Sequence, residues 1–363
     1  MSKIHITLVG GQPAPVYYGI KAIQPEKVVF IYSNESKKSA EQIAKLIKSE
    51  FSIRSEMRLF SPTDVNDIKN KCLKCFSRYS NDEVSINISS GTKAWTFFFV
   101  SEFSKMAHAS FIYVDQNNNV FDYTTGNTTT FDFNIETLFC LYGNPLVNYV
   151  KLETYSQEDF DAIITIEKIR RYDYDIFNTL VGELNKHSDK IISEDLKTLS
   201  SLKWDKANKT FNFDINKKGS RSKFQLSSPK IRELLFNSGW FEVKTALMLS
   251  EWDKCKQLYL NCIFKDKNKS RKNEIDIIVD TGIKPLFVEC KTQIFSPTDI
   301  DKFKNAVQVY GGKGSKAFII TETPLTDIAE EKCNDSGITT YCIKNGKKKL
   351  VETLNQIINT IEK

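Results

Sequence analysis

The amino-acid sequence predicts an α/β protein with two domains. Its 363 residues are 40% hydrophobic and 26% charged, which is enough apolar material for sizeable cores, and at about 150 residues per domain the length corresponds to two domains. In residues 1–150, apolar strand-like runs alternate with helix-like segments and short turns. This alternation is typical of a parallel α/β sheet of Rossmann-like type. From residue 228 the order of helices and strands predicts a second α/β domain.

The N-terminal domain is predicted from its individual segments. Residues 27–32 form a nearly continuous apolar run, as in strands that are buried on both faces of a sheet. The helical stripe of Ala40, Ile43 and Ile47 predicts a helix after that strand. Strands are expected over 3–9, 27–32, 51–59, 83–89 and 110–114, with a hairpin over 120–132.

Residues 151–227 have a less regular pattern and are interpreted as a connector, and residues 228–363 are interpreted as the second domain. In the connector we predict helices over 164–184 and 191–202 and a short strand over 211–215. In the second domain we predict helices over 228–236, 240–252, 298–310 and 325–333, and strands over 257–264, 274–279, 285–290, 316–321 and 338–343.

The composition narrows the classes of function. The net charge of +6 permits an anionic partner without requiring one, and basic loops are predicted at 217–223 and 265–272. No apolar run approaches the ~18 residues that cross a bilayer, and no signal-peptide pattern is visible, so we expect a cytoplasmic protein. The eight cysteines and three histidines lack the spacing of a disulfide framework, a zinc site or a histidine-based site.

The strongest chemical signal combines Asp276 with Glu289 and Lys291. Asp276 interrupts an otherwise apolar strand, and a turn at Gly282 makes the following strand, which ends in Glu289-Cys290-Lys291, its antiparallel neighbour. Because alternate residues of a strand share a face, Glu289 and Lys291 project together. Two converging carboxylates repel each other without a cation, and oxygen ligands suit Mg²⁺ or Mn²⁺. Lys291 would then orient the attacking water and offset charge on phosphorus, so the pattern predicts a metal-dependent nuclease.

Two further residues belong to this prediction. Glu242 lies on a predicted helix among large apolar side chains, where a carboxylate is costly unless it binds something. Gln293 lies two residues beyond Lys291 on the same strand face, so we expect it to contact the substrate or the attacking water.

The carboxyl ends of the N-terminal strands predict a second site, because ligands bind there in open α/β sheets. These ends carry the segments 10–13, 33–34 and 89–93. The last segment, Ser-Ser-Gly-Thr-Lys, places backbone N–H groups, hydroxyls and an ammonium at the start of a helix, which suits a phosphate. Neither a Walker A motif nor a GxGxxG motif is present, which disfavours ATP hydrolysis and dinucleotide binding.

The C-terminal motifs resemble those of the PD-(D/E)xK nucleases, which have a restriction-endonuclease-like α/β fold. The resemblance rests on Gly-Trp-Phe-Glu on a helix, Asp276 on a strand and Glu289-Cys290-Lys291 on the next. It implies that Asp276, Glu289 and the Cys290 carbonyl bind the metal, that Glu242 supports them, and that Lys291 is catalytic. The proline of the family's Pro-Asp pair is absent, since Glu274-Ile275 precede Asp276.

The whole chain resembles the CARF-domain nucleases of type III CRISPR defence, because Ser-Gly-Thr-Lys after the fourth strand is combined with the nuclease motifs. The resemblance implies a homodimer whose Rossmann-like CARF domains bind a cyclic oligoadenylate, most often cyclic tetra-adenylate, and activate metal-dependent cleavage of nucleic acid. Ser90 stands where members more often have glycine. The residues implied in activator binding are Gly11, Gln12, Ser33, Asn34, Ser90, Gly91, Thr92 and Lys93.

Two other readings of the sequence stay open. An ungated restriction or repair nuclease would cleave without any added nucleotide. A nucleotide-responsive regulator that only binds nucleic acid would not cleave with any metal, and Lys291→Ala would leave its behaviour unchanged. The sequence does not distinguish DNA from RNA, single strands from duplexes, or the ring size of the activator, since basic loops contact phosphates and not bases. It also leaves open whether the N-terminal domain degrades its activator.

Overall fold

The structure is a computed structural model that describes residues 1–132, 134–186, 191–236, 238–265, 274–282, 284–292, 297–311 and 315–361. The chain divides into two compact units, the first built from Met1–Leu146 and the second from most of the chain after Val147. Gln293 and most of the predicted basic loop at 265–272 lie outside the described residues. Within the described residues, no helix is long and apolar enough to cross a membrane.

The first unit contains a seven-stranded sheet in the order β3-β2-β1-β4-β5-β6-β7. Its strands are β1 (Lys3–Leu8), β2 (Lys27–Tyr32), β3 (Arg54–Leu59), β4 (Glu83–Asn87), β5 (Ala109–Val114), β6 (Asn119–Asp122) and β7 (Thr128–Thr130). Its helices are α1 (Pro13–Ile23), α2 (Lys37–Phe51), α3 (Val65–Tyr79), α4 (Lys93–Phe103) and α5 (Ile135–Leu141). The first five strands are parallel and β5, β6 and β7 pair antiparallel. The predicted Rossmann-like sheet with an added hairpin is confirmed.

The sheet of the first unit is covered on both faces. Val29 and Ile31 of β2 join a core with Trp95 of α4, whereas Val28 and Phe30 of the same strand join a second core on the opposite face. Since side chains alternate along a strand, an unbroken apolar run fills both cores.

The second unit begins with two helices and an antiparallel sheet of four strands in the order β12-β11-β10-β9. After β8 (Leu146–Val150), these elements are α6 (Gln157–Tyr172), α7 (Tyr174–Lys186), β9 (Ile192–Asp195), β10 (Ser200–Asp205), β11 (Thr210–Lys217) and β12 (Ser220–Ser227). The ring of Phe177 in α7 stacks on Phe213 of β11, with centroids 5.6 Å apart. Residues 151–227, interpreted as a connector, thus pack into the same hydrophobic core as the helices and strands that follow them.

The helix predicted over 191–202 is wrong, because the structure has strands β9 and β10 there. The Asp195 carboxylate accepts hydrogen bonds from the amides of Lys197 and Thr198, which closes a turn. In β10, Leu202 and Trp204 are buried while Lys203 between them is exposed. This period of two residues outweighs the helix-like spacing of the apolar residues before it.

The rest of the second unit is a six-stranded mixed sheet in the order β17-β16-β15-β14-β13-β8. Its strands are β13 (Gln257–Phe264), β14 (Glu274–Asp280), β15 (Pro285–Lys291), β16 (Lys316–Thr321) and β17 (Thr339–Cys342). Its helices are α8 (Ile231–Leu235), α9 (Gly239–Ser250), α10 (Pro297–Gly311), α11 (Asp327–Asp335) and α12 (Lys347–Ile361). The strands β13, β14 and β15 pair antiparallel, whereas β15, β16 and β17 are parallel. The predicted order of helices and strands in this α/β unit is confirmed.

Candidate functional site

The acidic residues of the second unit meet where β14 and β15 separate. The antiparallel pairing of the two strands ends at Ile277 of β14. Beyond it, the Cys290 amide donates a hydrogen bond to the side chain of Asp276, at 2.7 Å. The Lys291 ammonium lies 2.7 Å from the Glu289 carboxylate. The strand ends therefore hold two carboxylates and one ammonium close together, all of them only partly exposed.

Burial and mutual repulsion raise the pKa values of three carboxyl groups at this point. Burial raises the pKa of Asp276 well above its ordinary value, and the charges of Glu289 and Glu242 raise it further. Burial also raises the pKa of Glu289, against the opposing attraction of Lys291. The pKa of Glu242 is raised to about 7 by burial and then by the charges of Glu274 and Glu289. Negative charge is thus costly here until a cation compensates it.

The chemistry of these donors fits a hard divalent cation. Carboxylates that repel each other in a partly buried site are stabilised when a cation lies between them, and Mg²⁺ and Mn²⁺ prefer such oxygen ligands. Among the described residues, no three His, Cys, Asp or Glu side chains are already grouped as a metal-ligand set. The fit therefore rests on Asp276 and Glu289 with neighbouring backbone oxygen. The Cys290 side chain is buried in the core, so only its backbone is a candidate ligand.

Glu242 reaches the same region from helix α9. It lines a cavity of about 420 Å³, here called the acidic cavity, together with Asp276 and Glu274. A Cβ on Gly239 would lie 2.1 Å from the Glu233 carbonyl oxygen, so the glycine lets α9 begin close to α8. The structure brings Glu242, Asp276, Glu289 and Lys291 into one electrostatic group, and their roles stay predictions.

Three residues that the sequence reasoning missed also line the acidic cavity. Asn261 of β13 has φ 51°, in the left-handed region that is rare for a strand residue. The guanidinium of Arg232 lies 5.2 Å from the ring centroid of Phe236, and both line the cavity. Burial is the main cause that raises the pKa of Tyr155 to about 12. Of these residues, only Asn261 gave a signal in the sequence, since it is an asparagine within an otherwise apolar strand. Its left-handed backbone agrees with the observation that strained backbone often lies at functional sites.

A loop after β16 holds the end of β15 in place. The Glu322 amide donates to the Lys291 carbonyl oxygen at 3.0 Å, and the Thr323 hydroxyl donates to the Thr292 carbonyl oxygen at 3.3 Å. The guanidinium of Arg170 donates two hydrogen bonds to the Glu322 carboxylate. The backbone of Lys291 is therefore held by a loop that is itself bound to helix α6.

In the first unit, two of the predicted activator loops are joined directly. The Gly10 amide donates to the Ser90 hydroxyl at 2.9 Å. A Cβ on Gly10 would lie 2.7 Å from both the Ser90 hydroxyl oxygen and the Gly91 nitrogen. Gly10 therefore allows the close approach, and Ser90, which stands where the family more often has glycine, has a local structural function here.

The segment from Gly91 to Lys93 shapes the start of helix α4. Gly91 has φ 80°, and a Cβ there would lie 2.8 Å from Leu8 and 2.9 Å from Trp95, so no other residue fits without movement. The Thr92 hydroxyl accepts a hydrogen bond from the Trp95 amide at 3.2 Å and caps the helix. Lys93 is exposed and forms no ion pair with any described residue.

The remaining predicted activator residues lie at the ends of β1 and β2. Gly11, Gln12 and Asn34 are exposed, whereas Ser33 is buried. The Ser33 hydroxyl donates to the Glu35 carboxylate at 2.5 Å, so this hydroxyl serves the local turn. No described contact joins these residues to Lys93.

Asn87, which the sequence reasoning missed, fastens the loop after β4. Its side-chain oxygen accepts from the amide and the hydroxyl of Ser89, and its side-chain nitrogen donates to the Pro15 carbonyl oxygen at 3.0 Å. The Ser89 hydroxyl also accepts from the Val114 amide at 2.6 Å. The ends of β4 and β5 and the first turn of helix α1 are thereby held in one hydrogen-bond network.

The sequence of the first unit identifies its fold more closely. Residues 4–138 match the family model of the Card1 CARF domain. The seven-stranded sheet with its loops at the carboxyl strand ends is accordingly a CARF domain, and the chain is a CARF-domain protein. No curated protein sequence matches the chain.

Solved structures resemble the chain along its full length. The structure of Can2 from Sulfobacillus thermosulfidooxidans in complex with cyclic tetra-adenylate is 20% identical, with a TM-score of 0.69, and the match covers 98% of this chain and 99% of that chain. The protein VC1899 from Vibrio cholerae is 15% identical, with a TM-score of 0.70, covering 99% and 98%. A type III CRISPR defence DNA nuclease activated by cyclic oligoadenylate is 13% identical, with a TM-score of 0.50, and the match covers 94% of this chain and 50% of that chain. At these identities the likeness shows the fold, and it is the two-unit α/β architecture.

Proposed function

We propose that the protein is a nuclease of type III CRISPR defence that binds a cyclic oligoadenylate at its CARF domain and then cleaves nucleic acid at the acidic site. The observation that carries the proposal is the grouping of Asp276, Glu289 and Lys291 at the point where β14 and β15 separate. It occurs in the same chain as a CARF domain. The assigned segments are 1–150 for the CARF domain, 151–227 for the connector and 228–363 for the nuclease domain.

The residues of the acidic site have distinct functions in this proposal. Asp276 and Glu289, with the Cys290 carbonyl, would hold Mg²⁺ or Mn²⁺, which supplies Lewis-acid stabilisation of the charge on phosphate oxygens. Glu242 adds a third carboxyl and, with its pKa near 7, holds or releases a proton close to neutral pH. Lys291 keeps its proton because the nearby carboxylates raise its pKa despite burial. Its ammonium therefore orients water and stabilises negative charge on phosphorus.

The activator site is proposed at the loops that follow β1, β2 and β4. Gly91 and Ser90 allow the loops after β1 and β4 to approach closely, while Lys93 is exposed at a helix start and forms no ion pair with any described residue. Backbone N–H groups and a lysine at such a position bind phosphate groups. The similar fold of Can2 was solved with cyclic tetra-adenylate, which supports this ligand class.

A homodimer is part of the same proposal. A cyclic ligand made of identical nucleotides presents equivalent phosphates, and two copies of one loop related by a twofold axis meet them equally. Binding can activate the nuclease only if the ligand has a higher affinity for the active arrangement than for the inactive one.

The test is a cleavage assay of the full-length protein with Mn²⁺. Single- and double-stranded DNA and RNA are each incubated with and without cyclic tri-, tetra- and hexa-adenylate. We expect cleavage only when one of these activators is present, and none from the Glu289→Ala, Lys291→Ala double variant. Cleavage in every lane would favour an ungated nuclease, no cleavage with any metal would favour a binding regulator, and cleavage by the double variant would reject the site.

A further inference from the structure

A second cavity of the nuclease unit lies on the other side of helix α9. It has a volume of about 540 Å³ and is bounded by α6, α7, α9 and the segments that follow β16 and β17. Trp240 and Lys244 of α9 line it, whereas Glu242 of the same helix lines the acidic cavity. The two cavities share no lining residue. We call the second one the basic cavity.

The charges of the basic cavity favour an anion. Four cationic and two acidic side chains line it. Two of the cations are neutralised, because Arg170 pairs with Glu322 and Lys244 pairs with Glu167. The other two are Arg171 and Lys344, which are exposed and form no ion pair with any described residue.

The two cavities therefore have opposite electrostatic character. Among the described residues, four carboxyl groups and one arginine line the acidic cavity, so these side chains repel a phosphodiester strand unless a cation is bound. The basic cavity attracts the same strand without help, and charges that line a concave surface focus the field there.

The wall of the basic cavity is rigid. Arg170 is 7% exposed and donates to Asn178 at 3.0 Å as well as to Glu322. Its guanidinium lies 4.7 Å from the ring centroid of Tyr174 and 4.8 Å from that of Trp240. Since each of its three side-chain nitrogens donates a hydrogen bond within the protein, Arg170 supports the wall and leaves ligand binding to its neighbour in sequence, Arg171.

The basic cavity is linked to the acidic site through the backbone. Glu322 and Thr323 line it, and both bond to the end of β15, at Lys291 and Thr292. A ligand in the basic cavity thus contacts the segment that fixes Lys291. The part of a nucleic-acid strand that follows the cleaved bond would continue into the basic cavity.

We propose that the basic cavity binds a backbone phosphate of a single nucleic-acid strand, through Arg171 and Lys344, while a neighbouring part of that strand occupies the acidic site. The proposal rests on the proposed nuclease function. The volume is that of a small-molecule site, so it accommodates a short segment of one strand.

The experiment compares Arg171→Ala, Lys344→Ala with Lys168→Ala. Lys168 is an exposed lysine on the same helix as Arg171 and lines neither cavity. Binding of fluorescein-labelled single-stranded DNA and RNA is measured by anisotropy over a salt series, with cyclic tetra-adenylate and in the non-cleaving Lys291→Ala background. Inorganic phosphate and adenosine monophosphate serve as competitors.

We expect the double variant to bind the strand about tenfold more weakly at low salt. Its slope of log affinity against log salt should fall by about 0.7, because one phosphate contact is lost and each phosphate contact with a single strand contributes about 0.7. Lys168→Ala should leave the slope unchanged. In the cleaving protein the double variant should raise KM and leave kcat unchanged, as expected for lost uniform binding.

The other possible results distinguish failure of this inference from failure of the nuclease proposal. An unchanged slope in the double variant, in a protein that cleaves normally, overturns this inference and leaves the nuclease proposal standing. A reduced slope in a protein that never cleaves supports the cavity and rejects the nuclease proposal. Loss of adenosine monophosphate competition with unchanged strand binding identifies a free-nucleotide site and overturns the inference.

Discussion

The proposed activator loops of the CARF domain and the acidic site of the second unit differ in how their polar groups are satisfied. In the loops, the polar groups of Gly10, Ser89 and Ser90 are satisfied within the protein, and glycines allow the backbone to approach closely. At the acidic site, buried carboxyl groups raise one another's pKa values and no protein cation neutralises them all. The first site is held in place by its own contacts, whereas we propose that the second is completed by a bound divalent cation. Substitutions should therefore act through shape in one region and through charge in the other.

The largest effect is expected from Asp276→Asn. Asparagine can still accept the hydrogen bond from the Cys290 amide but loses the charge that a metal requires. We expect cleavage to fall by about a thousandfold or more, equivalent to several kcal/mol of lost stabilisation, and melting temperature in EDTA to be unchanged or higher.

Calorimetric melting with and without Mn²⁺ checks the same variant. Mn²⁺ at a hundred times its Kd should stabilise the wild-type protein by about 2.7 kcal/mol and the variant by much less. Asp253→Asn, at an exposed position, is the control and should behave like wild type. An equal Mn²⁺ shift in Asp276→Asn would place the metal elsewhere.

The next effect concerns Gly91→Ala. Its positive φ costs about 1–2 kcal/mol for any residue with a Cβ, and the contacts with Leu8 and Trp95 at 2.8 and 2.9 Å add to this. We expect a clear drop in unfolding free energy and loss of activation by cyclic oligoadenylate.

Gly126→Ala is the matched control for Gly91→Ala. Gly126 has φ 77°, and a Cβ there would meet nothing within 4 Å. Gly126→Ala should therefore lose only the stability that a Cβ at positive φ costs, and it should keep full activation by cyclic oligoadenylate. Equal destabilisation of the two variants in urea titrations would show that the close contacts of Gly91 relax without cost.

The buried side chain of His5 in the CARF domain allows the effect of burial on the pKa of a basic group to be tested. Burial, and then the charge of Lys3, lowers the pKa of His5 from its ordinary 6.5 to about 3. Since the unfolded chain takes up this proton and the folded chain does not, stability should fall as pH decreases from 6.5 towards 3. The loss should be about 2 kcal/mol at pH 5.

Urea unfolding at pH 7.5 and pH 5 checks the His5 prediction. His5→Asn, which can keep the hydrogen bond to Ser85, should remove this part of the pH dependence, whereas His108→Asn, at an exposed position, should not. The prediction fails if the pH dependence survives in His5→Asn.

The smallest effect is expected from Ser90→Ala. It removes the acceptor for the Gly10 amide, a loss of about 1 kcal/mol, and should weaken activator binding several-fold by loosening the joined loops. Ser104→Ala, whose hydroxyl donates to a backbone carbonyl at an exposed helix end, is the control. Isothermal titration with cyclic tetra-adenylate measures the effect, and tighter binding by Ser90→Ala would show that Ser90 withholds the Gly10 amide from the ligand.

Local sequence signals were sufficient to predict most of the fold. Continuous apolar strands such as 27–32 and strand alternation around Glu289 predicted the sheets and the grouping of Asp276 with Glu289 and Lys291. The segment 191–202 misled because its apolar spacing resembles a helix, whereas the turn held by Asp195 decides the structure.

Residues whose partners lie far away in sequence could not be predicted. Arg170 and Glu322 are separated by 152 positions, and Asn87 and Pro15 by 72. Their contacts depend on how whole elements pack, which no local pattern encodes. Asn261 gave only a weak signal, because its left-handed backbone becomes visible in coordinates and not in composition.

The separation of two oppositely charged cavities by helix α9 has a consequence for inhibitor design. Chelating compounds aimed at a metal site attack many unrelated hydrolases. An anionic compound bound beside Arg171 and Lys344 would contact the segment that bonds to the Lys291 carbonyl without reaching the proposed metal site. The selectivity of such a compound would come from a cavity that is lined in part by helices α6 and α7.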